Sequence, residues 1–381
     1  MAEFNPLLKS IMRQVYKNRY PLPIEPKTVV RHEIADGKPM CEVWFMSEGC
    51  TYDRDGGCTM CNYGKGHVVN STFILEELKT AFNKLPKAAY NLVINPSGSF
   101  LDEREVIGTL RNSIYDLLDN IPFESLTIES RADVITPPLL TELKKRYPNR
   151  RVSIEIGVET LDPWLLKNAV NKGVTMDQIE NAVKMIRGAG LISIANIGLG
   201  IPFICEKANI MQAIKSVTTA LNKGFDLIIL FPYHTKPGTL LEILFTADRY
   251  RRISLWSLVE VLANLPSKYL PKVNISWYRN YYTDKRKVIE SPDTCPHCRD
   301  IILGLLDQYK ATPCQSTLSV LLSFQCNCRD EWRTMIDNQS DSIEFSAIEN
   351  DYRFLADYFK ANNDLLTQTL TEMEESLYAS Y

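Results

Sequence analysis

The chain has 381 residues, with 43 Lys and Arg against 46 Asp and Glu, giving a formal net charge of -3. At 45% hydrophobic and 23% charged it carries enough apolar material for a large core, which excludes intrinsic disorder. The near-neutral balance argues against a broad, sequence-blind grip on nucleic acid. No apolar run approaches the roughly 18–20 residues of a membrane-crossing helix. The opening MAEFNPLLKSIMRQVYKNRY alternates charge with apolar residues and has no signal-peptide core, so a cytoplasmic location is expected.

Residues 1–40 read as a helical extension followed by the proline-broken PLPIEP. From 41 a rhythm sets in. Short β-branched runs begin near 41 (CEVWFM), 91 (NLVIN), 126 (LTIES), 152 (VSIEI), 192 (ISIANIG) and 227 (LIILFP), separated by helical stretches such as ILEELKTAFNKL, PPLLTELKKRY and MDQIENAVKMIRGAG. Strands alternating with helices at this spacing predict βαβ crossovers and a parallel sheet. Right-handed crossovers then leave an open doubly wound sheet or a barrel. In both, chemistry sits at the carboxyl ends of the strands. The motifs of this chain fall there: a cysteine loop after the first run, then NPSGSF, ESRAD, EIGVET, IGLGIP and FPYHTKPGT. The rhythm stops near 245. RYRRISLWSLVEVLANL reads as a helix, VNISWYRNYYT as an aromatic strand and the last 50 residues as acidic helices. The expected division is an extension over 1–40, a core over 41–245, and a C-terminal region over 246–381 with a cysteine-rich segment at 295–328.

Ten cysteines are many for a reducing compartment, where clustered thiols favour metal over disulfides. Cys50, Cys58 and Cys61 lie in SEGCTYDRDGGCTMCNYGKG with spacing C-x7-C-x2-C. Three thiolates without a fourth do not close a structural zinc shell, and a [4Fe–4S] cluster takes four ligands. Three cysteines therefore point to a cluster with one open iron, able to bind a chelating substrate or cofactor. Gly49, Gly56, Gly57, Gly64 and Gly66 allow backbone to wrap closely. The competing reading is a zinc loop completed by His67 or a distant cysteine.

A three-cysteine loop after the first strand of a β/α barrel resembles the radical S-adenosylmethionine (radical SAM) superfamily. The segments GGCTMCNYG, PSGSFLDEREV, ESRADVIT, IEIGVETLDPWLLKNAVNKG and LSFQCNCRDEW are similar to the radical SAM subunit of archaeosine synthase and, more distantly, to the Elongator-type radical SAM domain. The resemblance implies a partial (β/α)6 TIM-like barrel. It also implies reductive cleavage of SAM at the three-cysteine cluster to a 5′-deoxyadenosyl radical that abstracts hydrogen from an organic substrate. A one-electron reductant of flavodoxin or ferredoxin type is the implied partner. The substrate is either a modified deazaguanine nucleoside in tRNA or a small metabolite. On this resemblance Met60 packs near adenine, and Ser97, Gly98 and Ser99 meet the methionyl amine, with Asp102 beside them. Glu129 and Arg131 suit the SAM carboxylate or ribose, or pair with each other. Glu159, nearer the strand end than Glu155, faces ribose or substrate, or pairs with Arg131 or Lys172. Gly198 and Leu199 lie against adenine, while Gly200 stands where the archaeosine pattern has lysine. Asn171, Lys172 and Gly173 match that pattern or form a helix cap. Tyr233 and His234 are the candidate catalytic contacts, His234 being alternatively a satisfied rim histidine. Cys205 is a candidate hydrogen donor or a small core residue.

The second group is Cys295, Cys298, Cys314, Cys326 and Cys328. Cys295, Cys298, Cys326 and Cys328 can close a tetrahedral zinc site, with Cys314 and His297 as spares. An auxiliary iron–sulfur cluster would use similar ligands. The rival to the enzyme is a non-enzymatic adaptor with zinc at both groups, serving RNA or a protein.

Overall fold

The computed structural model describes residues 4–19, 28–64, 69–88, 90–281 and 288–379. PLPIEP, Gly66 and His67 lie outside them. One sheet of eight strands follows chain order: β1 (Thr28–Ala35), β2 (Lys38–Phe45), β3 (Tyr90–Pro96), β4 (Phe123–Ser130), β5 (Arg151–Glu159), β6 (Ile192–Leu199), β7 (Leu227–Pro232) and β8 (Val273–Ile275). β2 to β8 are parallel, so each connection is a crossover. The six runs read from the sequence are β2 to β7, and VNI of the aromatic segment is β8.

β1 corrects the expectation for residues 1–40. It pairs antiparallel with β2 through a tight turn at Asp36 and Gly37, both at positive φ. Such a turn matches the right-handed twist of a hairpin. Arg31, His32 and Glu33 interrupt its apolar signal, since they sit at an edge and need not be buried.

The first helices are α1 (Pro6–Asn18), the short α2 (Thr51–Arg54), α3 (Ser71–Phe82), α4 (Gly108–Leu118), α5 (Pro137–Arg146), α6 (Pro163–Leu165), α7 (Met176–Gly188) and α8 (Glu206–Asn222); of these α3, α4, α5, α7 and α8 cover one side of the sheet. Thr175 opens α7 with a reciprocal capping box to Gln178. Val43, Ile94, Ile128 and Ile154 point into the layer formed with Ile74, Ile114, Ile179 and Val217 of the helices. Period-two alternation sends Glu42, Trp44, Asn95, Glu129 and Glu155 to the opposite face, where they line one cavity. Residues from Glu33 on β1 to Ser276, just past β8, line that same cavity. A flat sheet cannot surround a single cavity from both edges, so the sheet is curled into a partial barrel.

Beyond the barrel run α9 (Leu240–Thr246), α10 (Leu255–Ala263), α11 (Arg299–Ala311), α12 (Gln315–Ser323), α13 (Asn327–Asp337), α14 (Phe345–Tyr358) and α15 (Asn363–Tyr378). Cys298, Leu306, Tyr309 and Trp332 belong to the main core. Leu8 and Ile11 of α1, Tyr352 of α14 and Met373 of α15 form a second core that also holds Cys58 and Met60. No helix among the described residues is long and apolar enough to cross a membrane.

Candidate active site

Cys50, Cys58 and Cys61 all line the barrel cavity, whose volume is about 240 Å³. The loop that carries them is held from several directions. Thr59 N donates to Val170 O at 3.0 Å and Thr59 Oγ1 to Ala169 O at 2.9 Å. Leu240 N donates to Thr59 O at 3.0 Å. Asn171 Nδ2 donates to Gly57 O at 2.7 Å, and Tyr52 OH donates to Asn171 O at 2.6 Å. Of the two readings of NKG, the helix cap is formed, with Asn171 rather than Gly173 as the cap residue. Asn171 sits in the left-handed region at the end of a short helical turn, and its side chain ties down the cysteine loop.

The glycines of that loop have a specific task. A Cβ on Gly57 would stand 2.1 Å from Asp53 Oδ1, and one on Gly64 would stand 2.7 Å from Asp53 Oδ2. They wrap the buried Asp53 carboxylate, which accepts from Gly64 N at 2.5 Å and from Arg19 of the N-terminal segment. Both side chains of the Arg19–Asp53 pair are 2% exposed. Burial pushes the Asp53 carboxyl up, against the pull of Arg19. Leaving one buried charge unpaired costs about 3–5 kcal/mol. Arg19→Ala is therefore expected to lower unfolding free energy by that amount in a denaturant titration; a loss below about 1 kcal/mol would show the pair to be dispensable.

Burial raises all three thiols. Cys50 is pushed up to about 12, with Glu105 adding to the effect and Arg131 opposing it. Cys58 and Cys61 are raised as well, by burial first. Without a bound cation these thiols keep their protons, and metal binding would release them. Arg131 Nη1 lies 3.8 Å from Cys50 Sγ. Its guanidinium is anchored by Asp133 at 3.0 and 2.7 Å.

Gly98 and Ser99 line the cavity; Ser97 lies behind them, where its hydroxyl accepts from Ser47 N at 2.9 Å. Gly98 has φ +156, and a Cβ there would stand 2.1 Å from Glu105 Oε2. That carboxylate is not free to move, because it accepts from Ser99 N at 2.5 Å and, through Oε1, from Thr51 N at 2.6 Å. Asp102, 2% exposed, accepts from Arg104 and Thr51. Met60, Glu129, Arg131 and Glu159 also line the cavity. Glu159 adopts φ +69, unusual for a residue with a side chain. Its two oxygens accept from Lys172 Nζ and from Tyr233 OH, each at 2.9 Å. Of the pairings weighed for Glu159, Lys172 is the one formed.

Gly198 and Leu199 do not line the cavity. Gly198 makes room for the Tyr233 ring, since a Cβ would stand 2.3 Å from Tyr233 OH. Leu199 O accepts from Tyr233 N at 2.8 Å. Tyr233 and His234 both line the cavity. His234 has both nitrogens engaged, Nδ1 with Ser291 Oγ at 3.1 Å and Nε2 with Trp277 O at 2.5 Å. Burial pushes it down to about 4, so near neutrality it is uncharged, donates to the Trp277 carbonyl and accepts from Ser291. That is the satisfied-histidine arrangement. Cys205 donates its thiol to Ser340 O at 3.1 Å, outside the cavity lining. Trp44, Asn95 and Lys236 also line the cavity; for Trp44 and Asn95 the available signal was the alternation of CEVWFM and NLVINP, which puts them on the face of Glu42 and Val93.

The second cysteine group converges on one point. Cys295, Cys298, Cys326 and Cys328 have sulfurs within 4.8 Å of one another. Neighbouring Sγ atoms lie 3.5, 3.7, 3.5 and 3.4 Å apart around the set. A tetrahedron with metal–sulfur bonds of about 2.3 Å has edges of about 3.8 Å. A four-iron cube would hold its thiolates much further apart, so the spacing suits a single ion. Cys298 and Cys326 stand at the N-cap positions of α11 and α13, and burial pushes the Cys298 thiol up to about 12 in the absence of an ion. Trp256 Nε1 donates to Cys328 Sγ at 3.4 Å. Cys314 stands apart, hydrogen-bonded to Ser316 Oγ at 3.0 Å.

No family model matches the chain. An uncharacterized protein of Methanocaldococcus jannaschii is 27% identical over 342 residues, covering 87% of this chain and 91% of that protein. Archaeosine synthase subunit beta of Methanosarcina acetivorans is 26% identical over 300 residues, covering 77% of this chain and 84% of its own. Among solved structures, the archaeal Methanocaldococcus infernus Elp3 with an N-terminal deletion superposes with a TM-score of 0.48 at 14% identity, covering 62% of this chain and 59% of that one. The likeness to archaeosine synthase read from short motifs therefore extends through most of both chains.

Proposed function

We propose that this chain is a radical SAM enzyme. The carrying observation is the meeting of Cys50, Cys58 and Cys61 with Gly98, Arg131 and Glu159 in one cavity at the carboxyl ends of the strands. When bound at the three cysteines, a [4Fe–4S] cluster with one open iron would supply the electron for reductive cleavage of SAM and hence a 5′-deoxyadenosyl radical. The residues present fit that group: three thiols, Cys58 buried and Cys50 and Cys61 half-buried, a glycine cradle at Gly98 with no room for a side chain, and a fixed cation beside Cys50. Arg131 would lower the cost of thiolate at Cys50 and orient a carboxylate in its fork. Glu159 would accept from ribose hydroxyls, held in place by Lys172 and Tyr233. Met60 would give adenine an apolar wall. His234 acts as a positioning residue that fixes Trp277, and Tyr233 is the cavity's candidate proton donor.

For the second group we propose structural zinc, on the strength of the short sulfur edges. The substrate proposal follows the similarity to archaeosine synthase subunit beta: a modified deazaguanine nucleoside in tRNA, handled together with a partner subunit and a one-electron reductant. Anaerobic reconstitution with iron and sulfide, then dithionite and SAM, tests the enzyme reading. The expected product is 5′-deoxyadenosine, with about four irons per chain at this site. Zinc at both cysteine groups and no SAM cleavage would replace the enzyme with a metal-binding adaptor. Salt-sensitive tRNA binding is expected; its absence beside intact SAM cleavage would move the substrate to a small metabolite.

A further inference from the structure

Below the cysteine loop the inner face of the barrel carries a polar rung. Trp44 pairs with Asn95 across β2 and β3. Ile94 pairs with Ile128, which sets Asn95 beside Glu129. Glu129 in turn pairs with Glu155 across β4 and β5. Trp44, Asn95, Glu129 and Glu155 line the cavity. The rung lies two residues, about 6–7 Å, deeper than Arg131 and Gly157.

Two carboxylates paired across adjacent strands repel, and among the described residues neither forms an ion pair: Lys172 and Lys310 act on them only from a distance, Lys310 being paired with Glu33. Lys172 is committed to Glu159, Arg131 to Asp133 and Arg31 to Glu42. Glu155 accepts only from Asn196 Nδ2, at 2.6 Å, and Glu129 has no side-chain partner among the described residues. A second observation is independent of the charges. Asn95 is 8% exposed, faces this cavity and makes no side-chain hydrogen bond among the described residues, its Oδ1 buried and unpaired there. Asn196 Oδ1 and Trp44 Nε1 are buried and unpaired as well. Buried polar groups are normally satisfied. Asn95 Oδ1 and the donor Trp44 Nε1 stand on the rung itself, and Asn196, which pairs with Gly157, stands one rung nearer the mouth; unsatisfied polar groups gathered around one pair of carboxylates mark a place where hydrogen bonds are completed by something else.

We propose that this rung is the floor on which substrate is recognised, and that it takes a positively charged N–H donor (an ammonium, amidinium or guanidinium) between Glu129 and Glu155, with Asn95 and Asn196 completing its hydrogen bonds. A cation there removes the repulsion and satisfies acceptors on both strands. A planar amidinium also fits beside the indole of Trp44. This rests on the reading of the cavity as the active site. Burial, with neighbouring carboxylates, raises both Glu129 and Glu155, as expected of acids held without a counter-ion.

The test uses benzamidine and its neutral isostere benzamide, titrated calorimetrically into the full-length reconstituted protein. Benzamidine is expected to bind saturably and at least ~10-fold more tightly than benzamide. Glu129→Gln and Glu155→Gln are each expected to weaken benzamidine ~10–100-fold while raising the melting temperature, since each removes a like charge. Equal binding of benzamide, no binding of benzamidine, or unchanged affinity in both variants would overturn the proposal. The wild-type comparison stands even if a variant fails to fold. Formation of 5′-deoxyadenosine by the same wild-type preparation separates the two claims. Product without benzamidine binding sinks only the recognition floor, and loss of both sinks the active-site reading too.

Discussion

Cys58→Ala is expected to reduce 5′-deoxyadenosine formation by at least ~100-fold, since even residues behind a metal ligand are worth 10–100-fold. The thiol is 9% exposed and lies within the second core beside Met60. Removing its sulfur leaves two cysteines, too few to hold a cluster in a defined orientation. Iron bound at this site should fall with the product. The substitution is small and the loop has other anchors at Thr59, Gly57 and Asp53, so the chain should remain folded by circular dichroism. A variant that keeps its iron and its product would mean that the three cysteines are not the cluster ligands.

Removal of metal from the second group should act on stability instead. An ion that binds only the folded state at a thousandfold excess over its Kd stabilises by about 4 kcal/mol. Cys298 is fully buried in the main core, and Trp256 contacts the same sulfur set. Cys298→Ser should lose one zinc per chain and lower the melting temperature markedly, while iron at Cys50, Cys58 and Cys61 is retained. Iron in place of zinc at the second group, read as about eight irons per chain rather than four, would make it an auxiliary cluster. An unchanged melting temperature after zinc loss would remove its structural role.

The parallel strands were legible because β-branched runs between helical patterns leave few arrangements. β1 was not, since edge strands tolerate charge and Arg31, His32 and Glu33 hide the alternation. That Cys50, Cys58 and Cys61 share one cavity was readable from their spacing, and which four of the five later cysteines converge was readable from the two close pairs, C-x2-C and C-x-C. Cys314 was expected outside the four, and it stands at the start of α12, turned toward Ser316. The glycines of GGCTMCNYG were readable as close-approach positions, but not what approaches: Gly57 and Gly64 enclose Asp53, a carboxylate whose partner Arg19 comes from far upstream. His234 shows the same limit. Its residue type invites a catalytic role, and only the positions of Ser291 and Trp277 show that both nitrogens are taken.

The clamp on the cysteine loop also sets an order of events in the life of the chain. Asp53 and Asp55 are held by Arg19, Arg13 and Lys9 at the N-terminal helix. That helix is in turn held by Asn5, whose amide reaches Asn168 and Tyr352 at 3.0 and 3.1 Å and Met373 Sδ across 368 residues. Trp164 Nε1 donates to Met373 O at 3.0 Å. Contacts of such long range form slowly and late. While Met373 is still unsynthesised, the second core behind Cys58 and Met60 is incomplete. The packing behind the cysteine loop is thus completed only when both ends of the described chain have met.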